Sequence, residues 1–266
     1  MPEDFERTTE DPVPDTATQY MVRMRDGVRL ATDVYLADNG VPPEAVLVRL
    51  PYDKNSRYWP PPGTRERHLY LTNLPAAATT SGLLTEHGSA GDEAAEWLYD
   101  PEDLAASSVP NSFAFLHEFP DESATAQRPD VLSFVSEPAA SPVDLAGPVD
   151  LLVTVTSTAP STYVFAKLLD EPPDGTVRMI VRGQGELTDV SGAARLGIEM
   201  GHTGYRLRPG HRFRLNITSS DFPEYMRHPG TDENPWLATE TKPSTQRLIT
   251  RAHAPASLRL TVLDRK

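Results

Sequence analysis

Strand-length runs follow one another through the second half of the chain, and no long helical pattern comes between them. The runs are VLSFVSE, VDLLVTVTST, TYVFAKLLDE, TVRMIVRGQGEL, HRFRLNITSS, QRLITRA and SLRLTVL. Turn residues such as Ala159-Pro160, Pro172-Pro173-Asp174-Gly175 and Asp221-Phe222-Pro223 separate them. Alternation is plain in His211-Arg212-Phe213-Arg214-Leu215-Asn216-Ile217 and in Ser257-Leu258-Arg259-Leu260-Thr261-Val262. Successive side chains of a strand point to opposite faces, so such runs bury one face and wet the other. Many short strands of this kind predict a mostly β protein, an antiparallel jelly-roll β-sandwich.

The first residues read differently. Residues 1–18 are polar, acidic and proline-bearing, with nothing to bury, which predicts a disordered tail. From Gln19, QYMVRM and VRLATDVYL flank Asp26-Gly27, a hairpin signal. A third strand, AVLVRL at 45–50, is apolar enough to be buried on both faces and completes a short β-meander over 19–58. The sandwich then occupies 59–266. Its opening, 63–130, is rich in loops, with strands at HLYL (68–71) and SFAFLHEF (112–119) and room for a helical turn in AGDEAAEWLYD (90–100).

Composition removes several function classes. The net charge is −13, and Lys and Arg are scattered singly among acids, so a nucleic-acid partner is not expected. The absence of cysteine excludes disulfides, thiol catalysis and thiolate metal sites. Seven histidines show no H-x-x-x-H spacing, so no metal and no cofactor are expected. No apolar run is long enough to cross a bilayer, and the N-terminal residues lack the apolar core of a leader. The expectation is therefore no membrane and a cytoplasmic location.

At this point the residues resemble a known family. MVRMRDGVRLATDVYL followed by AVLVRLPYDK is similar to the opening of the cocaine-esterase/X-Pro dipeptidyl-peptidase (S15-like hydrolase) family. There the hairpin and next strand begin an α/β-hydrolase sheet. WLYDPEDL, QRPDVLSFVSEP, LAGPVDLLVTVTSTAP, YRLRPGHRFRLNITSSDFPEYMRHPGT and HAPASLRLTV resemble the same family's C-terminal jelly roll, a galactose-binding-like sandwich. The blocks fall in the family's order over 20–58 and 65–263.

The resemblance implies that residues 19–58 are a remnant of the hydrolase sheet and that the catalytic core is missing. The chain passes from Asp53-Lys54 to His68-Leu69 across the junction Trp59-Pro60-Pro61-Pro62-Gly63, with no room for the nucleophile, acid and histidine. The residues agree. A nucleophile elbow needs G-x-S-x-G between strand and helix, and the one Gly pair at that spacing, Gly197-Ile198-Glu199-Met200-Gly201, has Glu at its centre.

One family residue of catalytic use survives. Tyr52 matches the tyrosine that helps form the family's oxyanion hole, which implies a hydrogen-bond donor to a substrate carbonyl; the alternative is a relic at a strand end. Tyr52 and Asp53 are the candidate catalytic residues, with Arg57, Tyr58 and Trp59 as candidate ligand-binding residues at the excision scar. His87, Ser89 and Asp92 imitate a triad by composition but sit too close together in a loop. Tyr58, Trp59, Trp97, Tyr99, Tyr205, Tyr225 and Trp236 are either sandwich core or ligand platforms. Ser219-Ser220-Asp221-Phe222-Pro223 reads as a structural turn after a core strand.

Two function classes stay open. One is a non-hydrolytic small-molecule enzyme, a cyclase or isomerase of bacterial natural product biosynthesis on a truncated hydrolase scaffold. The other is a catalytically inert ligand-binding or accessory module of a hydrolase, with a residual esterase or peptidase as a third. The expected partners are a small-molecule substrate or ligand, and a second copy or partner protein covering the face left by the excised domain.

Overall fold

The computed structural model describes residues 59–75, 81–108, 120–188 and 192–264, together with the backbone of three strands ahead of them. The chain divides into two units, Met1–Trp59 and Pro60–Lys266. In the first, β1 (Phe5–Arg7), β2 (Ala17–Arg23) and β3 (Arg29–Tyr35) form an antiparallel sheet in that order. β2 and β3 pair from Ala17–Tyr35 to Arg23–Arg29, and Asp26-Gly27 between them lie outside the described residues. β1 lies inside the stretch expected to be a tail. An exposed strand edge offers unmade backbone hydrogen bonds, and three residues suffice to take some of them. AVLVRL (45–50) and SFAFLHEF (112–119) lie outside the described residues.

Among its described residues the second unit is built of strands, apart from the single helical turn α1 (Ser123–Ala126). Its strands are β4 (Thr64–Thr72), β5 (Gly82–Thr85), β6 (Glu93–Tyr99), β7 (Leu132–Ser136) and β8 (Val143–Ser157). They continue as β9 (Thr162–Glu171), β10 (Arg178–Leu187), β11 (Ala194–Leu207), β12 (Arg212–Thr218), β13 (Ser244–Thr250) and β14 (Ser257–Leu263). Hydrogen bonds connect them in the order β10-β9-β12-β7-β5-β4-β14-β8-β13-β6, with β11 on β8. All the pairings are antiparallel except β5 with β7. β8 is bonded along both edges, to β11 on one side and to β14 and then β13 on the other.

The two layers of the sandwich meet in one apolar cluster. Leu151 and Val153 of β8 and Leu258 and Leu260 of β14 face Leu168 of β9, Leu215 and Ile217 of β12 and Phe134 of β7, all fully buried. Each such side chain contributes about 1.5–3 kcal/mol of transfer free energy. The alternating runs of β12 and β14 put these residues inward and Arg214 and Arg259 outward, as their period of two requires.

Two elements differ from the sequence reading. The helical turn expected within 90–100 is β6, where Ala95, Trp97 and Tyr99 are buried while Glu96 and Leu98 are exposed. That is a period of two, and pairing with β13 overrides the helix-forming Ala and Glu. β11 escaped notice because Gly197, Gly201 and Gly204 break its apolar pattern, yet it pairs with β8 from Val143 to Val155. The pair Gly197/Gly201, excluded above as an elbow, sits within this strand at a register shift between Glu199 and Gly201.

The sandwich closes where β10 meets β11, two strands that share no ladder. Gly183 permits the approach: a Cβ there would stand 2.7 Å from the Glu199 carbonyl oxygen and 2.7 Å from Met200 Cα. Gly183→Ala is expected to lower the stability measured by urea unfolding by about 1–3 kcal/mol, the usual cost of overpacking. Gly197→Ala, whose Cβ enters open space, is expected to stay within about 0.5 kcal/mol of the parent.

Candidate functional site

Alternation along β9 puts Leu168 into the core and Lys167 on the opposite face, yet Lys167 is also buried. Its ammonium lies 2.8 Å from Asp221 Oδ1 and 3.1 Å from Glu122 Oε2. Arg182 of β10 continues the network, 2.8 Å from Asp221 Oδ2 and 2.9 Å from Glu224 Oε1, with its guanidinium over the Tyr225 ring. Ser108 Oγ donates to Glu122 Oε1 at 2.9 Å. Three carboxylates thus face two cations under a cover made by α1's approach and the turn after β12.

That turn is Ser219-Ser220-Asp221-Phe222-Pro223, and it is structural as the sequence suggests. Trp97 Nε1 donates to Ser219 Oγ at 3.0 Å, Ser220 Oγ donates to the Ala105 carbonyl at 3.2 Å, and the Ser107 N–H donates to the Phe222 carbonyl at 2.7 Å.

Beyond the turn a serine meets a histidine. Ser161 Oγ lies 3.3 Å from His228 Nε2, which by distance alone suggests nucleophile and base. The hydrogen bonds decide otherwise. The Gly230 N–H donates to His228 Nδ1 at 3.0 Å, so Nδ1 is the bare nitrogen and Nε2 carries the proton. Nε2–H therefore donates to Ser161, whose own hydroxyl donates to the Thr231 carbonyl at 3.0 Å. A ring so oriented accepts no proton from the serine. Burial pushes the His228 imidazole down to about 4, and Tyr163 packs edge-on against it. Gly230 is held in place as well: its φ is +75°, and a Cβ would lie 2.0 Å from the Lys242 carbonyl oxygen.

A second histidine stands at the end of the sandwich beside β11 and β12. His211 Nδ1 lies 2.8 Å from Asp170 Oδ1, while the Tyr205 hydroxyl donates to Asp170 Oδ2 at 2.6 Å. Tyr205 comes from β11 and Asp170 from β9, so the carboxylate ties the two layers together. Burial, then the hydrogen bond to Asp170, raises the Tyr205 phenol well above its ordinary value.

Next to this tie a cleft of about 430 Å³ opens between β4–β5 and the 137–141 segment. Leu69, Leu84, Leu207 and Phe213 floor it, and Arg67, Glu86 and Glu137 stand at its rim. A second cleft, of about 510 Å³, holds Ser81, Ser123, Gln127 and the Arg214–Glu171 pair, whose Nε–Oε2 separation is 2.6 Å.

Of the residues expected at a site, Tyr52, Asp53, Arg57 and Tyr58 lie outside the described residues. Trp59 is 39% exposed. His87, Ser89 and Asp92 occupy a solvated loop: Ser89 Oγ accepts from the Gly91 N–H at 3.3 Å, and Asp92 faces Arg251 at 3.8 Å. The aromatics divide as weighed. Trp97 and Tyr99 are core, with the Tyr99 phenol pushed by burial up to about 12, whereas Trp236 is 80% exposed. Among the described residues no group of three or more His, Asp or Glu is arranged to hold a metal ion. No described helix is long and apolar enough to cross a membrane.

The second unit is thus a jelly-roll β-sandwich. The chain belongs to the family of the X-Pro dipeptidyl-peptidase C-terminal non-catalytic domain, whose profile matches residues 29–259. It is 32% identical over 191 residues to the cocaine esterase of Rhodococcus sp. (strain MB1 Bresler), a match covering 65% of this chain and 33% of the esterase. The chain thus matches about a third of the length of that relative. Two solved structures share the fold. An aminopeptidase from the marine sediment archaeon Thaumarchaeota archaeon superposes with a TM-score of 0.66 at 22% identity, over 78% of this chain and 38% of its own. An alpha-amino acid ester hydrolase gives 0.62 at 23% identity, over 74% and 36%.

Two outcomes follow from the clusters. Lys167→Met leaves the buried Glu122 without its cation, and unfolding measurements are expected to show a loss of about 3–5 kcal/mol. His228 has its pKa lowered in the folded protein, so below pH 6.5 the unfolded chain binds a proton that the folded chain does not. Stability is therefore expected to fall as pH drops from 6.5 to about 4, by up to about 3 kcal/mol, and no further from this group below that. His228→Asn keeps an acceptor for the Gly230 N–H without the titration. Urea midpoints at pH 7 and pH 4.5 are expected to lie closer together in this variant than in the parent.

Proposed function

We propose that this chain is a catalytically inert module of hydrolase lineage that acts by binding. The orientation of His228 carries the reading. The described Ser–His pair has its proton on the wrong nitrogen for a base, held there by the Gly230 N–H. The Asp170 carboxylate, the acid that could orient a histidine, is shared with Tyr205 in a cross-layer tie. Groups committed to structural bonds in this way support a scaffold rather than a catalyst.

Family membership supports the same view, since the matching domain is the non-catalytic one of X-Pro dipeptidyl-peptidases. The bound partner is a small molecule at the sandwich end, with a second copy or a hydrolase on the remaining surface. A cytoplasmic setting is part of this reading. A cyclase or isomerase of natural product biosynthesis is the competing reading. It needs Tyr52 as a donor to a substrate carbonyl, with Asp53, Arg57, Tyr58 and Trp59 around it. Of these, Trp59 alone is among the described residues.

A serine-reactive fluorophosphonate distinguishes the inert module from a residual esterase or peptidase. Incubation is expected to leave the intact mass unchanged and to reveal no labelled peptide around Ser161. A stoichiometric adduct on one serine would end the proposal.

A further inference from the structure

We propose that the cleft beside the Asp170–Tyr205 tie binds an amphipathic cation, an ammonium group carried on an aryl or alkyl body. The inference rests on the binding reading above and names its ligand class. The cleft's volume, about 430 Å³, lies in the range of small-molecule sites. Its floor of Leu69, Leu84, Leu207 and Phe213 suits an apolar body.

The rim sets the charge. Arg67 Nη2 lies 2.9 Å from Glu86 Oε1, so the rim's cation is already neutralised. Glu137, on the opposite wall, has no ion pair among the described residues and leaves the mouth with one unbalanced negative charge. The chain's net charge of −13 adds a field that repels anions.

The wall carrying Glu137 is fixed before any ligand arrives. The Ala139 N–H donates to the His211 carbonyl and the Gly210 N–H donates to the Ala139 carbonyl, both at 2.8 Å. Ser136 Oγ accepts from the Phe213 N–H at 3.0 Å and donates to the Glu137 carbonyl at 2.9 Å. A preformed wall spares the ligand the entropy of ordering a loop.

Three probes of one shape test the assignment: 4-phenylbutylamine, 4-phenylbutan-1-ol and 4-phenylbutyrate, titrated at pH 7 and low salt by calorimetry and by methyl shifts of Leu84 and Leu207. The ammonium is expected to bind about tenfold more tightly than the carboxylate, with the alcohol between. Glu137→Gln is expected to weaken the ammonium about fivefold and leave the alcohol unchanged. Ala140→Trp, at an exposed lining position, is expected to fill the cleft and abolish binding of all three at an unaltered Tm. Carboxylate binding as tight as the ammonium's, ammonium binding that survives Ala140→Trp, or no binding of any probe at millimolar concentration each overturns the proposal. A fluorophosphonate adduct with this order of affinities intact would instead overturn the inert reading and leave the cleft's ligand class standing.

Discussion

The second unit depends on a cation placed where water does not reach. Lys167 sits on the face of β9 opposite the core, and its ammonium joins Asp221 of one covering segment to Glu122 of another. The ion pairs, the Trp97–Ser219 bond and the Tyr99 hydroxyl on the His228 carbonyl fix the cover in one register. A buried pair is a poor source of net stability, because desolvation offsets much of the attraction, but removing either partner strands the other. What it supplies is position: the cover has one place to sit. Asn216 Nδ2, opposite Lys167 in the ladder, and Ser107 Oγ are buried there without a hydrogen-bond partner among the described residues, so the polar layer is not fully satisfied.

The polar groups of the second unit that most resemble catalytic pairs are committed to structural bonds. Among the described residues, the Ser161–His228 and Asp170–His211 pairings each have a neighbour that commits them elsewhere. Gly230 takes the lone pair of His228, and Tyr205 shares the carboxylate that steadies His211.

Much of the fold was legible in the sequence. β12 and β14 announce themselves because a half-buried antiparallel strand must alternate, and the blocks around them carry the family's order. β6 was not legible, because Ala and Glu favour helices locally and only β13 decides the matter. β11 was hidden by glycines that serve backbone geometry rather than burial. The site was less legible still. Glu122 and Lys167 are 45 residues apart, and no spacing rule relates them. The proton on His228 is fixed by a backbone N–H, which has no signature in side-chain identity. The proposed cleft joins β4, β5, β11 and β12 with the 137–141 segment, a meeting that exists only once the sheet has curled. Tyr52 and its neighbours were singled out by resemblance and fall outside the described residues.

β8 is bonded along both edges, and its partners lie far along the chain. β14 completes one of those edges and also pairs with β4, so that Leu263 lies against Thr64. The innermost strand of the layer therefore waits for β14. During synthesis no sandwich can close until residue 263 has left the ribosome, and the apolar faces of β4 and β8 stay open until then. Loop-closure entropy is spent before these contacts return it, which makes such topologies slow to fold and prone to association on the way. For a cell making this protein, the vulnerable interval is the one before β14 arrives.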